Sequence, residues 1–154
     1  MDESPSEVND DRGSFGADLP LEASLALDGD GSRIAHARHL AASFLAKVRD
    51  HYGIPVATAT VEIVQLIVSE LVTNARKYAP GPALLHLRVT GTVLRVELWD
   101  SNPVTPTAKA PNPERIGQHG LEIVAALART LTVEKTPVGK RITADITLTT
   151  AAAP

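Results

Sequence analysis

Apolar residues recur with definite periods along most of this chain, and the periods predict its elements. Leu21, Ala23, Leu25 and Leu27 alternate with Glu22, Ser24 and Ala26, the two-residue repeat of a strand with one buried face. Asp28-Gly29-Asp30-Gly31 supplies turn chemistry, and Ser32 is placed to cap a helix. From Arg33 to His51 the apolar residues Ile34, Ala37, Leu40, Ala41, Phe44, Leu45 and Val48 recur at spacings of three and four. Arg38, Lys47, Arg49 and Asp50 lie on the other side, so this is an amphipathic helix. Gly53 stops it, Ile54-Pro55 begins a link, and Thr58 or Thr60 is expected to cap the next helix. That helix, Thr58 to Tyr78, is mostly apolar without Gly or Pro, and reads as a buried rod of about five to six turns.

Ala79-Pro80-Gly81-Pro82 is a hard break. Two strands follow, Ala83 to Val89 and Val93 to Asp100, joined at Thr90-Gly91-Thr92 as a tight hairpin. Leu85, Leu87 and Val89 share a face with Leu94, Val96 and Leu98 as their partners. Ser101 to Ile116 holds four prolines and no periodicity, the mark of a lid or binding loop. Helical spacing returns from Gly120 to Ala128, and a last hairpin runs Leu131 to Lys135 and Arg141 to Leu148 around Pro137-Val138-Gly139. The expected fold is α+β, a two-layer sandwich with a mixed, mostly antiparallel sheet and its helices on one face.

Composition narrows the setting. At 154 residues the chain is one domain, expected over residues 19–149, with short tails at 1–18 and 150–154. A net charge of -3 gives no reason to expect nucleic acid as a direct partner. The absence of cysteine excludes disulfides and thiolate metal sites. No apolar run reaches the roughly 20 residues needed to cross a bilayer. The first 18 residues are acidic and polar, expected to be disordered and unlike a signal peptide, which leaves the cytoplasm as the expected location.

Candidate chemistry sits in the long apolar helix. Glu70 and Asn74 are four residues apart, hence on one helix face with Cβ atoms roughly 5–6 Å apart. A carboxylate and an amide so placed suit a polyanion and its magnesium, because magnesium takes oxygen ligands. Taken alone, they read first as the wet edge of an amphipathic helix. Asp100 ends a strand, followed by Ser101-Asn102-Pro103; Asp before a turn is commonplace by itself. Gly117-Gln118-His119-Gly120-Leu121 opens a helix, where glycine backbone and helical N–H groups can approach a phosphate. Gly139-Lys140-Arg141 opens a strand, so it is not a P-loop, and Lys140 reads as a solvated residue. Trp99 alternates outward as part of a partner surface, and His36, His39, His51 and His86 lack metal-ligand spacing.

In that order, these boxes resemble the GHKL (Bergerat-fold) ATP-binding domain shared by gyrases, MutL, a class of chaperones and sensor histidine kinases. ELVTNARKYA looks like its N-box, GQHGL like its G2 box, and the segment at about 101–119 like its ATP lid. A free-standing domain with a strand and long helix ahead of the N-box is most similar to the anti-sigma-factor serine/threonine kinases of the SpoIIAB and RsbW type. The wording VSELVTNA and VELWDSNP is also similar to small actinomycete ATP-binding regulators. The resemblance implies ATP and Mg²⁺ as cofactors, with Asn74 as metal ligand and Glu70 as catalytic group. It implies that Asp100 accepts from the adenine amine, and that Asn102, Lys77, Tyr78, Gly117, His119, Gly120 and Leu121 complete the nucleotide site. It further implies a homodimer that holds a sigma factor and phosphorylates a serine on a STAS-domain antagonist. The chain departs from the pattern at His119, where glycine often stands, and at Arg141, where threonine follows Gly-Lys and touches a phosphate. These departures keep open a nucleotide-dependent binding module that transfers no phosphate.

Overall fold

The structure is a computed structural model, and it describes residues 21–27, 33–78, 81–101 and 116–149, with the backbone alone at 78 and 116–119. The elements run β1 (Leu21–Leu27), α1 (Arg33–Tyr52), α2 (Thr58–Tyr78), β2 (Ala83–Thr90), β3 (Val93–Asp100), α3 (Ile116–Leu127), β4 (Thr130–Lys135) and β5 (Lys140–Thr147). The strands form one sheet in the order β1-β2-β3-β5-β4, and every neighbouring pair is antiparallel. The α+β two-layer sandwich expected from the sequence is the fold observed, with β3 at its centre.

Alternation decides which residues meet the helices. Leu85 pairs with Leu98, Leu87 with Val96, and Val89 with Leu94 across β2 and β3. On the other side of β3, Leu94 faces Ile146, Val96 faces Ala144, and Leu98 faces Ile142. All these side chains are buried, and they form one core with Ala37, Ala41, Phe44, Leu45 and Val48 of α1 and Val64, Ile67, Val68 and Leu71 of α2. Apolar burial of this kind is worth about 25 cal/mol per Å² removed from water. α2 is the spine of the helical layer: it packs on α1, on α3 and on the central strand β3.

Gly53 takes φ 68° after α1, a conformation that glycine enters without the Cβ penalty, and Ile54 N–H then returns to the Val48 carbonyl at 3.2 Å. The start of α2 differs from expectation. Ala57 occupies the cap position, its carbonyl accepting from the N–H groups of Thr60 and Val61. The Thr60 hydroxyl instead donates to the Leu148 carbonyl at 3.2 Å, so it ties α2 to the end of the sheet. α3 begins at Ile116, which places Gly117 to Gly120 inside its first turns rather than ahead of it. The rest of the expected lid, 102–115, and both tails lie outside the described residues.

Candidate functional site

The end of β3 and the start of β5 are forced together by a glycine. A Cβ added to Gly139 would stand 2.0 Å from the Asp100 carbonyl oxygen and 2.7 Å from Ser101 Cα. Only a residue without a side chain fits there. The close approach sets Lys140 directly opposite Asp100 in the ladder, both pointing to the helix side of the sheet with Leu98 and Ile142. Lys140 Nζ lies 2.7 Å from Asp100 Oδ2, with side chains 1% and 0% exposed. The expectation of a solvated Lys140 is therefore wrong. The two-residue period that buries Ile142, Ala144 and Ile146 also carries position 140 inward, and the ion pair makes that burial tolerable.

Arg141 points the other way. It stacks over the outward face of Trp99, 4.9 Å from the ring centroid, and pairs with Glu97 at 3.6 Å and with Glu134. The Arg141 side chain therefore lies on the opposite face of the sheet from Asp100 and Lys140. Trp99 is outward as expected, half-buried under its arginine.

On α2, Asn74 is buried and Glu70 is half-buried one turn earlier. The helical spacing does what the sequence implied and stacks them on one face. The Glu70 carboxylate rests against α3: a Cβ on Gly120 would come within 2.6 Å of its Oε1. Gly120 thus leaves room for an acid, and the fold brings together one residue of the N-box and one of the G2 box. Lys77 is exposed in the last turn of α2 and Leu121 is half-buried on α3. The side chains of Tyr78, Gly117 and His119, and all of Asn102, lie outside the described residues.

The donor chemistry fits a magnesium nucleotide. Glu70 and Asn74 offer a carboxylate and an amide carbonyl, the oxygen ligands a hard cation takes. Gly120 leaves no side chain between α3 and the Glu70 carboxylate. Sequence reasoning missed Gly139 and Lys140. The signal was present, since Lys140, Ile142, Ala144 and Ile146 alternate without interruption.

Comparison with known proteins agrees with this fold. The family model of the histidine kinase-like ATPase domain matches residues 31–146. No match is found among curated proteins. Among solved structures, the RsbU and RsbW domains of Rv1364c from Mycobacterium tuberculosis are similar in fold, with TM-score 0.62 and 17% identity over 82% of this chain and 32% of that one. The chain therefore spans about a third of that structure. The histidine kinase domain of the blue-light activated histidine kinase EL346 from Erythrobacter litoralis has 20% identity over 80% of this chain and 63% of that one, with TM-score 0.46. No described helix is long and apolar enough to cross a membrane. With the family model covering most of its length and the fold in agreement, the chain belongs to the histidine kinase-like ATPase domain family.

Proposed function

We propose that this chain is an Mg·ATP-dependent regulatory protein that phosphorylates a serine of a STAS-domain partner and exchanges that partner for a sigma factor. The observation that carries the reading is the seat of Glu70: its carboxylate lies in the space Gly120 leaves open, one helical turn from buried Asn74. An acid there is positioned to orient a serine hydroxyl and take its proton. Asn74 would hold the magnesium, which when bound supplies charge neutralisation at the phosphates. Asp100 would accept from the exocyclic amine of adenine. Lys77, Tyr78, Asn102, Gly117, His119, Gly120 and Leu121 would line the nucleotide between base and phosphates. Phosphoryl transfer rests chiefly on positioning and charge, so this small set of groups is sufficient. Membership of an ATPase-domain family supports the nucleotide. The likeness to a structure that includes an RsbW domain agrees with the fold this reading needs. A homodimer through β1 and α1 and a cytoplasmic location belong to the same reading.

A second reading has its own observation. Position 141 carries an arginine that faces outward over Trp99, where the resemblance implies a threonine on a phosphate. A module that binds nucleotide and sequesters a partner without phosphoryl transfer is consistent with that. Radiolabelled ATP separates the two. Incubated with a STAS-domain protein, the wild-type chain should pass label to the partner, and Glu70→Gln should bind ATP yet pass none. Retention of ATP by the wild-type chain with no label on any partner favours the binding module.

A further inference from the structure

Among the described residues, Lys140 is the one buried lysine. Lysine has a long flexible stem that ordinarily carries its ammonium to water. Here the ammonium ends 2.7 Å from Asp100 Oδ2 instead. An ammonium has three donors and no acceptor. Beyond this ion pair, Nζ has no hydrogen-bond partner among the described residues. A buried cation with donors to spare, locked beside the carboxylate assigned above to the base, is poised to donate to whatever that carboxylate receives.

We infer that Lys140 reads the base together with Asp100: the carboxylate accepts from the exocyclic amine, and the ammonium donates to the ring nitrogen beside it. This rests on the Mg·ATP reading given under Proposed function. The edge of a 6-aminopurine presents a donor, the amine, next to an acceptor, N1. A 6-oxopurine presents the opposite order, an oxygen and then an N–H. Acceptor and donor side by side, as Asp100 and Lys140 stand, complement the first and oppose the second at the same seat. Binding adenine this way keeps the two charges together. That matters because a buried charge deprived of its partner is heavily penalised. Lys140 is in this account a specificity-determining residue supplied by β5.

Calorimetric titration of the full chain with Mg·ATP and with 1-deaza-ATP, in which N1 is replaced by C–H, tests it. The wild-type chain should prefer ATP on the order of tenfold to a hundredfold, the range for one hydrogen bond from a charged donor. Lys140→Met should bind ATP more weakly and treat the two nucleotides alike. Lys140→Gln, which keeps a donor without the charge, should retain part of the preference. Both variants are first checked for fold by circular dichroism, and if the methionine chain is not folded the glutamine chain decides, its preference being required to fall below wild type. The inference is overturned if the wild-type chain binds both nucleotides equally, or if the preference survives undiminished in the folded variants. It is also overturned if Lys140→Met binds ATP more tightly than wild type, which would make the lysine a plug. A wild-type chain that binds no ATP at all removes the underlying reading instead.

Discussion

The same two strands, β3 and β5, carry two cross-strand ion pairs of the same kind, and water separates their meanings. Arg95 and Asp145 face each other on the outer side, joined by two hydrogen bonds of 2.9 and 3.1 Å. Asp100 and Lys140 face each other on the inner side, at the end of the same ladder. The arginine of the first pair is 52% exposed, while neither side chain of the second exceeds 1%. An exposed pair gains little because both ions were already solvated, whereas a buried pair must repay the loss of hydration. The outer pair therefore shares the open face of the sheet with a polar lattice of His86, Glu22, Glu97, Arg141 and Glu134. The inner pair, costly to place and easy to replace with apolar side chains, calls for a functional reason.

The sharpest way to break this contrast is to remove one member of each pair. Lys140→Met should lower the unfolding free energy in urea by about 3–5 kcal/mol, because it removes the cation beside the buried Asp100 carboxylate. If the loss is instead below about 1 kcal/mol, the inner pair is no different from a surface one. Gly139→Ala should follow, at about 1–3 kcal/mol, since the new methyl group meets backbone rather than a movable side chain. Denaturant titration that finds it neutral would mean that β5 need not press on Asp100.

Gly120→Ala sharpens the picture differently. The atom its methyl group would meet is the far end of the flexible Glu70 side chain, which can swing aside. Alanine also favours a helix over glycine by roughly 0.5–1 kcal/mol. Stability should thus hold or rise slightly, while the Mg·ATP-dependent gain in melting temperature falls; an unchanged gain would detach Gly120 and Glu70 from the nucleotide.

The smallest effect is expected at the outer pair. Arg95→Ala should cost about 0.2–1 kcal/mol in low salt and less in high salt. Its hydrogen bonds from Arg95 hold the Asp145 carboxyl below its usual value, more than burial raises it. A carboxyl depressed in the folded state stabilises above its unfolded pKa, about 3.9, and loses that contribution as pH falls through the lower folded value. The wild-type and Arg95→Ala stability curves should accordingly be separated at neutral pH and converge below about pH 4. Curves that stay parallel would assign the difference to packing.

Most of the fold was legible because two-residue and three-to-four-residue periods are strong in this chain. The hairpin partners of Leu85, Leu87 and Val89 and the bounds of α2 could be read directly from apolar spacing. The Glu70 and Asn74 stack was legible for the same reason. Lys140 was not, because its charge outweighed its place in the alternation, and its partner Asp100 lies forty residues earlier, where spacing says nothing. The Thr60 bond to Leu148 and the pressure of Gly139 on Asp100 are also long-range contacts. Local pattern carries no information about them until the sheet is assembled.

On the proposed reading, the inner end of β3 and the Glu70–Asn74 face of α2 together hold an adenine nucleotide. Thermal unfolding with and without Mg·ATP tests it most directly, because a ligand of the folded state alone stabilises by mass action. At about one hundred times Kd the gain is about 2.7 kcal/mol. The melting temperature of the wild-type chain should rise with Mg·ATP, and the rise should vanish in Asn74→Ala. No rise in the wild-type chain at millimolar Mg·ATP, or an undiminished one in the variant, would contradict it.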